Sequence, residues 1–316
     1  MKAVVCTQYG KPEGLQFKEV KKPVPKDDEV LIKIYATTAH IGDTRIRRAD
    51  PFLVRFIFGL FKPKKDLILG MEISGIIENV GKNVKSFRKS DTVYALTGFG
   101  FGGYAEYRCL PEKVKDGTQQ RKGLVAIKPE NLTFEEAATV PAGGLTALKN
   151  LQKANISKGH KILINGASGS LGTYAIQIAK YYGAEVTAVC SSKNFDIVKS
   201  IGADKVIDYT NEDFTKKQDK YDILYDAVMK LKASRCRKVL KTNGIFLNNS
   251  GLPKIKNDDL LFLKYLIENN KLKPVIDRTY SIEDIVEAHR YVDMGHKRGN
   301  VAVRINDTYL TNSSGE

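Results

Sequence analysis

Lys161-Ile162-Leu163-Ile164-Asn165-Gly166-Ala167-Ser168-Gly169-Ser170-Leu171-Gly172 runs an apolar strand through a glycine-spaced turn into the start of a helix. That context is the one in which such glycines bind a dinucleotide. Gly166 permits the tight turn, Gly169 lets the backbone approach a pyrophosphate, and Gly172 lets the helix pack close to the sheet. Backbone N–H groups at the helix start, over Ala167, Ser168, Ser170 and Leu171, would meet the phosphates. The alternative is a structural turn that binds no ligand.

Working outward, strands alternate with helices from residue 161 onward. KILIN is followed by a helix over 170–182, the strand AEVTAVC, a helix over 194–201, then KVID, YDILYDAV, a helix around 232–240 and GIFLN. The strand runs are continuously apolar, as strands covered on both faces must be. This alternation is α/β: a right-handed, doubly wound parallel sheet with helices on both faces. Residues 134–138 and 143–151 read as helices interrupted at Pro141. Amphipathic helices near 258–269 and 281–293 and a closing strand over 300–305 end the chain, before a polar stretch at 308–316 that is expected to fray. The first third differs. Short strands at 30–35 (VLIKIY), 73–80, 91–96 and in YAEYRCL, separated by Gly81 and the glycine-rich turn 98–103, suggest a compact, partly open β-barrel.

The end of the second strand selects the nucleotide. An NAD site places Asp or Glu there, on the ribose 2′-hydroxyl. This chain offers Cys190-Ser191-Ser192-Lys193; Glu185 lies at the wrong end of the strand and Asp196 a turn into the next helix. Hydroxyls and a lysine without a carboxylate suit a 2′-phosphate, which favours NADP(H). The serines also suit a helix N-cap, and both roles can hold together.

A length of 316 residues exceeds the roughly 250–300 that one core ordinarily supports and fits two domains. At 42% hydrophobic and 28% charged, wholesale disorder and fibrous repeats are excluded. No run approaches the ~18 apolar residues of a membrane helix. The opening MKAVVCTQYG carries no secretory pattern, so a cytoplasmic protein is expected. Cys6, Cys109, Cys190 and Cys236 are scattered, without the spacing of a disulfide framework or a cysteine zinc site. The excess of 51 Lys and Arg over 36 Asp and Glu, +15, raises nucleic acid, anionic membranes and anionic ligands as partners. The pairs Lys21-Lys22, Lys64-Lys65, Lys216-Lys217 and Lys297-Arg298 lie on different elements with carboxylates between them. No contiguous basic stripe forms, so a solvated surface favouring an anionic cofactor is expected, and no nucleic acid.

With the glycine loop stand Leu69-Gly70-Met71-Glu72-Ile73-Ser74-Gly75, Val140-Pro141-Ala142-Gly143-Gly144-Leu145-Thr146-Ala147, Ile201-Gly202-Ala203-Asp204 with Ile207-Asp208-Tyr209, and Glu287-Ala288-His289-Arg290-Tyr291. Together these segments resemble the medium-chain dehydrogenase/reductase superfamily, in its zinc-independent quinone-oxidoreductase-like branch, from about Met1 to Ile305. The resemblance implies a GroES-like catalytic domain over 1–125 and 271–316, split by a Rossmann domain over 126–270. It implies NADP(H) in the cleft and hydride transfer to a quinone or an α,β-unsaturated carbonyl. It places Thr146 near the nicotinamide or its ribose, Ser191, Lys193 and Tyr209 around the 2′-phosphate, and Asn248, Asn249 and Ser250 where backbone approaches the nicotinamide.

Zinc-dependent members have His where this chain has Met71, and a cysteine ligand upstream where this loop reads Ala39-His40-Ile41-Gly42-Asp43. A thioether does not replace imidazole on zinc, so no metal is expected. His40, Thr44 and Arg45 line the expected site by resemblance; related enzymes carry an aromatic hydroxyl after the Asp of that loop, where this chain has Thr44 and Arg45, so solvent is the other proton source, and His40 reads equally as a satisfied loop histidine. Met229 follows Asp226-Ala227-Val228 where the family has Gly, which would narrow the nicotinamide slot. The family's sixth strand is missing between Asn249 and Asp258, so a five-stranded sheet is expected, as a monomer or a dimer that does not use the usual sheet edge. The run RFIFGLFKPKK at 55–65 reads as a loop whose phenylalanines, with Phe52, shape a flat apolar substrate site; a membrane-surface element is the other reading. The competing function is a nucleotide-sensing or nucleic-acid-binding protein that kept the fold with weak or no catalysis.

Overall fold

The computed structural model describes residues 1–64, 67–251 and 253–306. Lys65 and the polar stretch 308–316 lie outside the described residues. The chain divides into two compact units, one of residues 1–142, 256–261 and 276–316, the other of residues 143–255 and 262–275.

The first unit is organised by Glu29–Thr38, a ten-residue strand with apolar side chains buried on both faces. It pairs antiparallel with Glu72–Val80, Tyr107–Pro111 and Asn300–Arg304. Thr92–Leu96, Leu124–Ile127 and Ile276–Ser281 extend this to seven strands, and Lys2–Cys6 with Leu15–Glu19 make a separate two-stranded ladder. The strand path has two ends and does not close among the described residues. Antiparallel register sets Ala302 opposite Thr38, and Ala39 N–H donates to the Val301 carbonyl at 3.0 Å. The chain just before Asn300 is therefore brought beside the loop that opens at His40. Two apolar clusters hold the unit, one around Ile32, Ile34, Ile73 and Val93, the other joining Val4, Leu69 and Tyr104 to Ile285 and Val292 of the helix Ile285–Asp293.

The second unit is a five-stranded parallel sheet in the order Lys205–Asp208, Glu185–Cys190, Lys161–Asn165, Tyr221–Asp226, Leu240–Asn248. The outer strand Leu240–Asn248 exposes Lys241, Thr242 and Asn243, polar side chains that discourage edge pairing. Its core gathers Leu163, Val189, Ile207, Leu224 and Val239.

Three local readings change. The break between the helices Phe134–Ala138 and Val140–Lys153 falls at Thr139, and Pro141 sits in the first turn of the second helix. Its missing N–H has no partner to lose there. The helix expected around 232–240 shrinks to Ala233–Cys236 followed by a tight turn, since Lys232 supplies no side-chain cap and the strand begins at Leu240. Ile276–Ser281 is a strand that periodicity did not announce, pairing in parallel with Asn300–Arg304. No helix among the described residues is long and apolar enough to cross a membrane.

Candidate functional site

In the second unit the strand Lys161–Asn165 turns through Gly166, at φ +77°, into the helix Ser170–Tyr181. The N–H groups of Gly166 and Ala167 both donate to the Val189 carbonyl at 3.1 Å, which ties the turn to the neighbouring strand. A Cβ on Gly172 would lie 2.3 Å from the Gly166 carbonyl oxygen and 2.6 Å from Ala167 Cα, so helix and loop touch backbone to backbone there. At Gly169 an added Cβ would meet a single protein atom, at 3.5 Å. This glycine is spared for something other than internal packing. As N-cap it offers no side chain to the helix, so the positive end of a twelve-residue helix is presented bare.

Ser168 and Ser191 are joined by Asn194, whose amide donates to their hydroxyls at 3.0 and 3.3 Å. Lys193 and Tyr209 are exposed beside them, Tyr209 next to Asp208, which stands opposite Cys190 in the parallel register. Asp208 turns its carboxylate onto its own loop, accepting from the Thr210 hydroxyl and N–H and from the Asn211 amide. The Thr210 hydroxyl first, then its N–H, hold it below the usual carboxylate range, with Ser192 adding to them against burial. Glu185, at the far end of its strand, pairs with Lys205 at 2.8 Å. Thr146, half-buried, lies on the helix Val140–Lys153.

Asn248 ends the outer strand, and Asn249 and Ser250 follow it. Asn249 is fully engaged: its amide oxygen accepts from Asn150 and Tyr225, and its NH2 donates to the Ala227 carbonyl at 3.1 Å. Asn248 accepts from the Ser250 N–H at 3.1 Å. Asn150 and Tyr225 carry no signal in sequence because each reaches Asn249 only through the fold; Asn194 meets Ser191 locally but Ser168 only across the turn.

Met229 adopts a left-handed backbone, φ +56°, with its side chain 44% exposed. A side chain in that region costs about 1 kcal/mol, and this one recovers little by burial. Met229→Gly is therefore expected to raise stability by up to about 1 kcal/mol, seen as a higher urea midpoint; a lower midpoint would refute the strain argument.

In the first unit the loop at His40 caps the helix Ile41–Arg48. His40 Nδ1 accepts from the Gly42 N–H at 3.0 Å, while Asp43 Oδ2 accepts from the His40 N–H at 3.3 Å. Burial first, then the charges of Lys297 and Arg45, pull His40 down to about 3, so it is neutral. The Thr44 hydroxyl, buried, donates to the Ile41 carbonyl, and Arg45 is exposed. Met71 packs its sulfur against Gly42, where a Cβ would come within 2.4 Å.

Glu72 is buried, accepting from the Thr38 hydroxyl at 2.8 Å and from the Ala142 N–H at 2.7 Å. Burial nevertheless pushes its carboxyl up to about 8, and that of Asp43 up to about 7 against the N–H groups of Gly70 and His40. The unexpected member is Lys297. Its ammonium donates to the Gly299 carbonyl at 2.6 Å, on the stretch that the sheet register lays beside His40. Burial pulls it down to about 8, opposed by the charges of Glu72 and Asp277. In the sequence Lys297 and Arg298 read alike as dispersed surface charge; Arg298 is exposed, whereas Lys297 is half-buried. All four cysteines are free thiols, and burial pushes Cys6, Cys109 and Cys190 up to about 11, which leaves them protonated and unreactive at neutral pH.

Family models match both parts of the chain: one described as alcohol dehydrogenase GroES-like domain over residues 26–115, one as zinc-binding dehydrogenase over residues 170–277. The 2-methylene-furan-3-one reductase of Solanum lycopersicum is 35% identical over 327 residues, 96% of this chain and 79% of that protein. The chloroplastic NADPH-dependent alkenal/one oxidoreductase of Arabidopsis thaliana is 32% identical with the same coverage. A solved quinone oxidoreductase from Coxiella burnetii has a TM-score of 0.83 at 25% identity, covering 97% of this chain and 99% of its own.

Proposed function

This chain belongs to the medium-chain dehydrogenase/reductase superfamily, in its quinone-oxidoreductase-like branch, and from that premise we propose that it reduces an α,β-unsaturated carbonyl or a quinone without a metal ion. It is an NADP-dependent oxidoreductase. The observation that carries the cofactor site is the loop at Gly169, where backbone stands open at the bare N-terminus of a long helix. A pyrophosphate fits such a place, because it brings negative charge to the positive end of a helix whose N-cap has no side chain. Ser191, Lys193 and Tyr209 supply hydroxyls and a cation for the 2′-phosphate, with Asn194 holding the serines in place.

Bound NADPH supplies the hydride. When hydride adds to carbon, negative charge appears on the acceptor's oxygen and must be held and then protonated. In zinc-dependent members a metal cation does this. Here Met71 occupies a ligand position, and Glu72 is committed to Thr38 and Ala142. Lys297 brings a protein cation to the same neighbourhood, and a value near 8 suits it to give a proton at neutral pH. His40, with Nδ1 spent on the helix cap, is a wall of the site rather than its acid.

The test is NADPH oxidation with panels of enones and quinones, on protein whose metal content is measured. Turnover in metal-free protein is expected, and Lys193→Ala is expected to weaken NADPH binding roughly tenfold to a hundredfold while leaving NADH unchanged. NADPH binding without turnover on either panel would favour the nucleotide-sensing alternative.

A further inference from the structure

Residues 52–61 turn an apolar face outward. Phe52, Leu53, Phe56, Ile57, Leu60 and Phe61 are all exposed, from 43% for Leu60 to 89% for Phe61. Single exposed apolar side chains are ordinary, whereas six in one short stretch make a patch of the kind that marks an interaction surface. The sequence reading has these rings shape a substrate site; Phe52, Phe56 and Phe61 meet solvent.

The backbone beneath them is held. Phe58 turns inward against the buried Phe101 ring at 5.5 Å. The Tyr9 hydroxyl donates to the Gly59 carbonyl at 2.8 Å, and the Lys64 N–H to the Phe58 carbonyl at 2.7 Å. Arg55 spreads its guanidinium over Tyr9 at 5.1 Å and Phe52 at 5.2 Å. One ring anchors the segment while its neighbours are presented.

The rim has one sign. Arg45, Lys62 and Lys64 are exposed, and Arg48 and Arg55 partly so, against one exposed carboxylate, Asp50, in residues 41–64. Aromatic and aliphatic side chains ringed by Lys and Arg match the chemistry of a bilayer interface, where rings lodge among headgroups and cations meet lipid phosphates. The excess charge of the whole chain, +15, adds attraction to an anionic sheet that a small acidic protein would not use as fully.

We propose that this face docks the protein peripherally on an anionic lipid surface, with Phe52, Phe56, Ile57 and Phe61 in the headgroup layer and Lys62 and Lys64 on lipid phosphates. The inference goes beyond the reductase reading and does not depend on it. The experiment is flotation of the full chain with vesicles of phosphatidylcholine, with and without phosphatidylserine. Binding to the anionic vesicles is expected, weakening as salt is raised. Phe56→Ser/Phe61→Ser and Lys62→Glu/Lys64→Glu are each expected to weaken it by about tenfold or more at unchanged Tm. No binding by the unaltered chain, or binding that neither pair of substitutions changes, overturns the proposal. So does self-association without lipid that the Phe56→Ser/Phe61→Ser variant abolishes, which would assign the patch to a second copy of the chain.

Discussion

Replacing Lys297 by methionine is expected to lower kcat for enone or quinone reduction by roughly a hundredfold or more while leaving the Kd for NADPH within about twofold. Methionine keeps the length and apolar stem of the side chain, so the loss isolates the ammonium. The pH dependence gives the second readout. The folded value of Lys297, about 8, lies below the free amine's 10.5, so the ammonium is present below about 8 and lost above it. Rate should fall as pH rises through that value, and the limb should vanish in Lys297→Met. Lys297→Arg keeps the charge and cannot release its proton, so it should restore part of the rate with the limb displaced upward. Between about 8 and 10.5 the unfolded chain binds the proton that the folded chain does not, so this group makes folding less favourable as pH falls through that window. A Lys297→Met enzyme with kcat within threefold of the unaltered one and the same limb would remove Lys297 from the mechanism.

The second large effect is on stability. Arg47 is fully buried, with Nε donating to His289 Nδ1 at 3.2 Å and its other nitrogens donating to the Gly10 carbonyl and the Asp293 carboxylate. Because a guanidinium can only donate, Nδ1 of His289 accepts, which leaves the ring proton on Nε2 facing the Tyr104 hydroxyl at 2.8 Å. Tyr104 donates onward to the Thr38 carbonyl at 3.2 Å. Burial, with Arg47 beside it, pulls His289 down to about 3, so the ring is a neutral connector. Arg47→Met would strand the buried ring acceptor and leave the half-buried Asp293 with Arg48 alone, at 3.4 Å, and is expected to cost about 2–3 kcal/mol, read from urea denaturation. Adding Asp293→Asn to that variant should cost much less than it does alone, since both act on one network. A loss below about 1 kcal/mol for Arg47→Met would mean the network contributes little.

The two halves of the chain differ in how much their residues disclosed. Around Gly166, Gly169 and Gly172 the strand, turn and helix are neighbours in sequence, so spacing alone reports which backbone atoms meet; Gly172 against Gly166 and Ala167 is such a meeting. The run Cys190-Ser191-Ser192-Lys193 likewise lies at the end of the next strand, one βα unit away. Asn194 was visible only as a helix start, because its role comes from reaching a serine on each side of the turn.

The first unit offers no such short range. Its site gathers residues from the His40 loop, from Glu72, from Tyr104 and from the chain between His289 and Lys297, with Arg47 and His289 separated by 242 positions. Three arginines crowd Arg45-Ile46-Arg47-Arg48, and composition does not tell which one is buried; the helix face does, taking Asp43, Thr44 and Arg47 inward.

By itself, then, the amino-acid order determined the nucleotide half, its five parallel strands and its glycine loop, since those contacts join consecutive segments whose periodicity and glycine spacing are local properties. Only the tertiary structure decided that Lys297 is withdrawn from water while Arg298 is not, that Arg47 is a core hub, and that Phe56 and Phe61 stay outside while Phe58 goes in. Burial is set by which distant strand or helix arrives alongside. That arrival changes a lysine's charge and a phenylalanine's partner without leaving a trace in the neighbouring letters.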